Sequence, residues 1–382
     1  MDDGGDDPFG TQGTIGIEEE FFLVDDAGNP AGGTDDLCYE NEPPEILQDR
    51  LDHELFTFVI ETQTPVIDSL EEAPEVLSAV RSALVEYAAE HGYGVAAAGL
   101  HPSARWRELD HVTKPRYRRQ LDRIQYPQHR NITAGLHIHV GVSDPEAAVW
   151  ISNEIRWYLP LLLALSANSP FWNGFDTGLA SARARIFEAL PNTGMPSALD
   201  SYDDYLQLES TLLETGSISD RGEIWFDVRP HTEYGTVEIR TPDAQAEEET
   251  VLAFTEYACR LIERLDEGFR RLDAGETPAE VYRDVHADWV IPPEDGDLGA
   301  AYELLCENKW RAIRYGHEAA FIDRHGDGEV DLERAATTEI DRFALERLPT
   351  VLEGQSGAKR LREVLKTEGI EAACDEIRLD RA

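Results

Sequence analysis

The chain has 382 residues, and because 41% of them are hydrophobic its composition allows a substantial core. It carries 76 acidic against 34 basic residues, a formal net charge of −42, which is typical of proteins that work in molar salt, where the Debye length falls to roughly 3 Å. This charge excludes generic binding to DNA or RNA, which needs a basic surface, and binding to an anionic membrane surface.

The chain start and the cysteines predict an ordinary intracellular protein. Residues 1–12 are acidic and glycine-rich, which predicts a disordered tail ahead of a single domain over residues 13–382. No apolar run of 18 residues and no signal-peptide pattern occurs, so we expect no membrane span and a cytoplasmic location. The four cysteines are far apart and form no metal-binding pattern, so we expect reduced thiols. The best candidate for a linker is PPEDGDLG at 292–299.

The first strand signal, IGIEEEFFLVD, places three glutamates in a segment that otherwise predicts a buried strand. Side chains of a strand alternate between faces, so Glu18 and Glu20 share one face. Glu19 lies on the opposite face with Ile17 and Phe21, where it needs a polar partner or a place at the rim.

A second strand is predicted over residues 55–66, followed by a helix with a Ser69 cap signal that begins near SLEEAPEV. In a regular strand, Glu54 and Glu61 face opposite sides because they are seven residues apart. Glu54 therefore joins the face of Glu61 only through a bulge or from a preceding loop. VAAAGLHP predicts another buried strand, and the unusually basic segment 108–130 a helix and a loop.

The later strands also alternate between apolar and polar residues. TAGLHIHVGV places His137 and His139 on one face, and EIWFDVRPH with GTVEIRTPD predicts a hairpin. An apolar helix over 145–168 is expected to kink or restart at Pro160. The other predicted helices are 201–215, 246–272, 277–287, 300–322 and 331–380. Locally paired strands followed by helices favour an α+β fold with an antiparallel sheet.

Across these strands the polar face collects glutamate, histidine and arginine, which indicates the lining of a cavity. The alternative is an ordinary half-solvated sheet. Many carboxylates with one or two imidazoles suit Mg²⁺ or Mn²⁺ better than zinc, and so many carboxylates share a face only if cations neutralise them. Arginines beside such ions stabilise a transferred phosphoryl group. A second alternative is a zinc hydrolase that uses His137 and His139.

Five ordered segments carry a family resemblance. GIEEEFFLVD, TAGLHIHVGV, SANSPFWNGFDTGLASAR, FDVRPHTEYGTVEIRTPD and ENKWRAIRYG together resemble the type 2 glutamate–cysteine ligase family, carboxylate–amine ligases of the glutamine synthetase superfamily. The resemblance runs from about residue 13 to 350. It implies a curved antiparallel sheet of about six strands that forms a funnel covered by helices, the catalytic fold of glutamine synthetase and guanido kinases.

The resemblance also implies a reaction. ATP would phosphorylate the γ-carboxylate of glutamate, and the amine of cysteine would displace phosphate to give γ-glutamylcysteine and ADP, with two or three Mg²⁺ or Mn²⁺ ions at the phosphates. The expected partners are these small molecules, and a homo-oligomer is left open. The alternatives are a related ligase that uses another amine, a metal-dependent hydrolase, or a binding protein without activity.

Carried over motif by motif, the resemblance assigns two metal sites, one held by Glu20, Glu54 and Glu61 and the other by Glu18, His137 and Glu238. It places His139 near the ATP phosphates and gives the catalytic role of stabilising the phosphoryl group to Arg229 and Arg240. Weaker assignments are a substrate carboxylate for Arg183 and nucleotide contacts for Arg311 and Arg314. Their alternative roles are structural, Arg311 and Arg314 as anchors of a helix.

Overall fold

The computed structural model describes residues 8–292 and 298–379, and a seven-stranded antiparallel sheet organises this part of the chain. The strands are β1 (Ile15–Val24), β2 (Leu51–His53), β3 (Val59–Gln63), β4 (Gly94–Ala96), β5 (Leu136–Gly141), β6 (Phe171–Trp172), β7 (Phe175–Asp176), β8 (Thr193–Gly194), β9 (Trp225–Phe226), β10 (Val228–His231), β11 (Thr236–Ile239), β12 (Ala320–Ile322) and β13 (Glu329–Asp331). In the main sheet the order is β10-β11-β5-β1-β3-β2, and β4 also pairs with β1.

Helices surround this sheet. They are α1 (Ala73–Glu90), α2 (Pro115–Ile124), α3 (Tyr126–His129), α4 (Pro145–Ile155), α5 (Leu159–Ser166), α6 (Ala182–Phe187), α7 (Tyr202–Glu214), α8 (Glu248–Asp273), α9 (Pro278–Val285), α10 (Leu298–Tyr315), α11 (Leu332–Phe343), α12 (Leu348–Glu353), α13 (Gly357–Glu368) and α14 (Ile370–Glu376). The predicted α+β class with an antiparallel sheet is confirmed, and the sheet has seven strands where about six were expected.

The apolar face of the sheet is part of the main core. Ile17 of β1, Ile138 of β5 and Val237 of β11 are fully or almost fully buried, and they belong to one core cluster with residues of α4, α5 and α8. Burial of such side chains stabilises the fold by roughly 1.5–3 kcal/mol each, so this face fixes the register of the strands.

Glu19 lies on this apolar face, as the alternation rule predicts, and its polar partner is Arg81 of α1. The guanidinium makes a two-pronged ion pair, with Arg81 Nε 2.9 Å from Glu19 Oε2 and Arg81 Nη2 2.6 Å from Glu19 Oε1. Arg81 also donates to the carbonyl oxygens of Gln245 and Ala246. The protein thus neutralises this buried carboxylate with its own cation.

The prediction of a single strand over residues 55–66 is wrong. The structure has a hairpin instead, in which β2 ends at His53, the chain turns through 54–58, and β3 begins at Val59. The prediction that Ser69 caps the first helix is also wrong, because α1 begins after Glu72 and has no side-chain cap.

The predicted helix break at Pro160 is confirmed, since α4 ends at Ile155 and α5 restarts at Leu159. The predicted hairpin of β10 and β11 is confirmed as well. The helical stretch 300–322 ends at Tyr315 and is followed by the small β12–β13 hairpin, and the stretch 331–380 contains four separate helices.

The ends and the linker complete the fold. Phe9, inside the segment expected as a tail, is buried and its ring meets Tyr202 edge to face. Most of the linker candidate, residues 293–297, lies outside the described residues. All four cysteines are free thiols in the described structure. Among the residues described, no helix combines the length and the apolar character needed to cross a bilayer.

Candidate active site

A cavity of about 400 Å³ opens on the polar face of the sheet. Seven of the residues predicted from the sequence line it: Glu18, Glu20, Glu54, Glu61, Arg229, Glu238 and Arg240. His137 and His139 are buried in its floor on β5, between β1 and β11. The interpretation of this face as a cavity lining is therefore confirmed, and the half-solvated sheet is excluded for these strands.

The strand register explains why these side chains meet. Residues directly opposite each other on paired strands point to the same face. Glu18 of β1 pairs with His137 of β5, and Glu20 pairs with Glu61 of β3. On the other side, Glu238 of β11 pairs with His139. One face of four adjacent strands thus carries acid and imidazole groups in rows.

Glu54 reaches the same face through the β2–β3 hairpin. Asp52 pairs with Glu61, and Glu54 lies two residues beyond Asp52, so its side chain points to the face of Glu61. The Glu54 amide donates to the carbonyl oxygen of Val59 at 3.0 Å. The seven-residue spacing does not separate Glu54 from Glu61, because Glu54 lies in the turn that follows β2 and Glu61 lies in β3.

The first group of candidate metal ligands consists of Glu18, His137 and Glu238. Their ligand atoms all lie within 4.8 Å of one another. Glu18 Oε2 is 3.2 Å from His137 Nδ1, and Glu18 Oε1 is 3.5 Å from His139 Nε2. Burial alone would raise the pKa of Glu18, but the two histidines outweigh it and hold the pKa well below its usual range. Glu18 is therefore a charged ligand.

The second group consists of Glu20, Glu61 and His137, again with ligand atoms within 4.8 Å of one another. Burial and the charges of Glu18, Glu54 and Glu20 raise the pKa of Glu61 well above its usual range. Burial, Glu20 and Asp52 raise the pKa of Glu54 to about 8. The predicted third ligand, Glu54, lies outside this group but lines the same cavity. These carboxylates repel one another, and the charges of Arg116 and Arg240 offset this only in part at Glu54, an arrangement that bound cations would relieve.

Two arginines flank Glu238. Arg229 Nε is 2.5 Å from Glu238 Oε2, and Arg240 Nη1 donates to Glu238 Oε1. Burial would raise the pKa of Glu238, but Arg229 and Arg240 outweigh it and hold the pKa well below its usual range. Both arginines proposed for catalysis thus lie next to a proposed metal ligand, with their guanidinium groups in the cavity wall.

Arg183, expected to bind a substrate carboxylate, makes its contacts within the protein. This residue is buried, and its guanidinium donates to the carbonyl oxygens of Arg240 and Thr241, both at 3.3 Å. Its Nη1 is 3.8 Å from Asp243 Oδ1. These contacts support the structural alternative, because Arg183 holds the end of β11 from behind and does not face the cavity.

Arg311 and Arg314 also lie away from the cavity. Arg311 pairs with Glu307 and Glu329, and Arg314 donates to the carbonyl oxygen of Gly178 at 2.5 Å. These contacts favour the alternative in which both arginines anchor α10, and their nucleotide assignment stays a prediction.

Sequence reasoning missed several residues of the cavity wall. Arg116 and Tyr117 come from α2, inside the segment noted only for its basic charge, and Trp225 comes from β9. His231 and Tyr234 line the wall as a stacked pair, with ring centroids 4.4 Å apart and planes 7° apart. The sequence signal for this pair was its position in the β10–β11 hairpin. His231 lies two residues after Arg229, and Tyr234 lies four residues before Glu238.

Together, these features define a class of enzyme. Two overlapping sets of candidate carboxylate and imidazole ligands beside two arginines are typical of enzymes that bind a nucleotide through divalent ions and stabilise a transferred phosphoryl group.

Comparison with known proteins gives the family. The chain belongs to the glutamate-cysteine ligase family 2, whose sequence model matches residues 14–376. It is 56% identical over 382 residues to a glutamate–cysteine ligase of Natronomonas pharaonis, with 100% of this chain and 99% of the relative covered. It is 54% identical over 380 residues to a glutamate–cysteine ligase of Haloferax volcanii, with both chains covered in full.

The fold is also found in a solved structure. The crystal structure of a glutamate–cysteine ligase from Francisella tularensis in complex with AMP superimposes with a TM-score of 0.63, covering 97% of this chain and 88% of that chain. At 14% identity this likeness concerns the fold alone. The fold class expected from the resemblance is confirmed.

Proposed function

We propose that this protein joins the γ-carboxylate of glutamate to the amine of cysteine, with conversion of ATP to ADP and phosphate. The observation that carries the proposal is the register of β1, β3, β5 and β11, which gathers Glu18, Glu20, Glu61, His137 and Glu238 on one face. Two relatives with the name glutamate–cysteine ligase, at 54% and 56% identity over the whole chain, support the choice of reaction.

The donor set fits Mg²⁺ or Mn²⁺. Carboxylate oxygens dominate it, and burial together with the charges of neighbouring carboxylates raises the pKa of Glu61 and of Glu54. In the described structure the buried Nε2 atom of His139 makes no close hydrogen bond and lies 3.5 Å from Glu18 Oε1 and 3.9 Å from Glu238 Oε1. Glu18, His137 and Glu238 would hold one ion, and Glu20 with Glu61 another. Such ions would neutralise the phosphate oxygens of ATP.

In the first chemical step, an oxygen of the glutamate γ-carboxylate attacks the γ-phosphorus of ATP, and the bond to ADP breaks. Negative charge is then spread over the oxygens of the transferred phosphoryl group. Arg229 is buried and Arg240 nearly so; both line the cavity, are bound to Glu238, and provide guanidinium donors for this charge.

In the second step, the cysteine nitrogen attacks the carbonyl carbon of γ-glutamyl phosphate. The bond from this carbon to the phosphate oxygen breaks, and phosphate and a proton are released. The same two arginines line the cavity and would also stabilise the negative charge of the leaving phosphate.

The test is release of ADP in molar KCl with Mg²⁺, glutamate and a panel of amines, with the product identified by mass spectrometry. We expect γ-glutamylcysteine and ADP in equal amounts, and a dependence on both amino acids. If ADP release requires glutamate and a different amine, that amine and not cysteine is the acceptor. Hydrolysis of an amide or ester without nucleotide would contradict ligase chemistry altogether.

A further inference from the structure

Lys309 is a buried cation that the proposed chemistry does not use. Of the four lysines, all of which the structure describes, Lys309 alone is buried. Its Nζ lies 2.6 Å from Asp227 Oδ2 and 2.5 Å from Glu188 Oε1. A lysine so far from water persists only where its partners compensate the cost of burial, so this ion pair has a fixed geometry.

Asp227 connects this ion pair to the proposed active site. It lies between β9 and β10, and each of its polar groups is bound to a different segment. The carboxylate contacts Lys309 of α10, and the amide donates to the carbonyl oxygen of Gly194 at 2.9 Å. The carbonyl oxygen of Asp227 accepts from the amide of Arg240, also at 2.9 Å.

Arg240 is therefore held at both of its peptide groups. Its amide is bound to the carbonyl oxygen of Asp227, and its carbonyl oxygen accepts from the guanidinium of Arg183. The two anchors come from different helices, Lys309 from α10 and Arg183 from α6. Since Arg240 follows the last residue of β11, the sheet ladder alone does not fix it.

We propose that Lys309 is a positioning residue, which holds Asp227 and thereby fixes the backbone of Arg240 and the direction of its guanidinium. The inference rests on the proposed function in so far as Arg240 stabilises the transferred phosphoryl group. A group that stabilises a transition state must be held in place, and a misplacement of about 1 Å can cost on the order of 10² in rate. Binding of ATP and glutamate in the ground state depends less on this guanidinium.

The kinetic test compares Lys309→Met with Lys366→Met, the same chemical change at an exposed lysine of α13. In molar salt we expect Lys309→Met to lower kcat by about 10- to 100-fold with KM for ATP and glutamate within about threefold. Lys366→Met should match the wild type. A role in folding alone predicts fewer folded molecules with an unchanged kcat per folded molecule, measured by circular dichroism.

Asp227→Asn is a milder variant that keeps both backbone hydrogen bonds and offers Lys309 an uncharged amide oxygen in place of the carboxylate, while Lys309 keeps its ion pair with Glu188. We expect a loss of about 3- to 10-fold in kcat, and this variant decides the matter if Lys309→Met does not fold. A wild-type kcat in either folded variant overturns the inference.

A crystal structure of the Asp227→Asn variant separates this inference from the proposed function. We expect the Arg240 side chain to shift or to occupy several conformers, while Val237 on the same strand stays in place. An unmoved Arg240 overturns the positioning role, whatever amine the wild-type enzyme accepts. If the wild type releases no ADP from glutamate and cysteine, the proposed function is contradicted. The position of Arg240 in the Asp227→Asn variant still tests the positioning role of Lys309.

Discussion

Glu19 and Glu20 are neighbours in β1 and are both buried, yet they lie in opposite electrostatic environments. Glu19 faces the apolar core and is neutralised by Arg81 at 2.6 and 2.9 Å. Glu20 faces the cavity, where Glu61 is its cross-strand partner and Glu54 raises the local negative charge further. Glu19 thus receives its counter-charge from a single arginine of the protein, whereas Glu20 shares its surroundings with other carboxylates, an arrangement that a bound cation would relieve.

The largest expected effect comes from removing a charge on the cavity face. We predict that Glu61→Gln lowers kcat by about 10³-fold, roughly 4 kcal/mol of barrier, because a ligand of a metal ion is lost. The fold is retained and, without metal, becomes more stable, since one of several crowded carboxylates disappears. Steady-state kinetics and urea unfolding in molar salt measure both quantities. A Glu61→Gln variant with wild-type kcat would contradict the metal-binding role assigned to the cavity face of the sheet.

On the apolar face of β1 we predict the reverse pattern, a loss of stability without a loss of kcat. Arg81→Met leaves Glu19 buried without its counter-charge and should destabilise the fold by about 3–5 kcal/mol. Each molecule that remains folded should keep a wild-type kcat, because Arg81 is not in the cavity wall. Chemical unfolding with activity measured on the folded fraction tests this. A variant of normal stability with a strongly reduced kcat would mean that the register of β1 is shifted by one residue.

A third prediction concerns pH in the absence of divalent ions. The pKa of Glu54 is raised to about 8 from its ordinary value of 4.5, so the unfolded chain loses this proton at lower pH than the folded protein does. Stability should therefore fall as the pH rises from 4.5 to 8, by up to about 4 kcal/mol for this residue. Glu54→Gln should flatten this slope in thermal unfolding, and Mg²⁺ should flatten it in the wild type. An unchanged slope in both cases would refute the assignment of negative charge to this part of the cavity.

The smallest effect is expected at Arg311. Its ion pairs with Glu307 and Glu329 lie at the surface, where each is worth about 0–1 kcal/mol. Arg311→Met should thus lose about 1 kcal/mol at most, and KM for ATP should stay within about twofold. A KM for ATP raised tenfold would restore the nucleotide-binding role expected from the sequence.

The strand faces could be predicted from the sequence because the two-residue period of a strand does not depend on tertiary packing. This argument correctly separated Glu19 from Glu18 and Glu20, and it aligned His137 with His139. The argument failed at Glu54 because the turn 54–58 consists largely of leucine and phenylalanine and contains no glycine or proline. The sequence of the β2–β3 hairpin therefore looks like that of a single strand.

The arginines show what a sequence alone leaves open. Arg183, Arg311 and Arg314 occur in family motifs, but their distance from the cavity depends on how α6 and α10 pack behind the sheet. Lys309 did carry a signal, since it lies three and four residues before the buried Ala312 and Ile313, on the apolar face of α10. A lysine on such a face indicates a buried partner.

The most direct test of the central claim is a count of bound Mn²⁺ in molar salt, by electron paramagnetic resonance, for the wild type, Glu61→Gln and Glu19→Gln. The account predicts at least two ions in the wild type and in Glu19→Gln, and the loss of one ion in Glu61→Gln. Full occupancy in Glu61→Gln together with a loss in Glu19→Gln would contradict the division of β1 into a structural face and a metal-binding face.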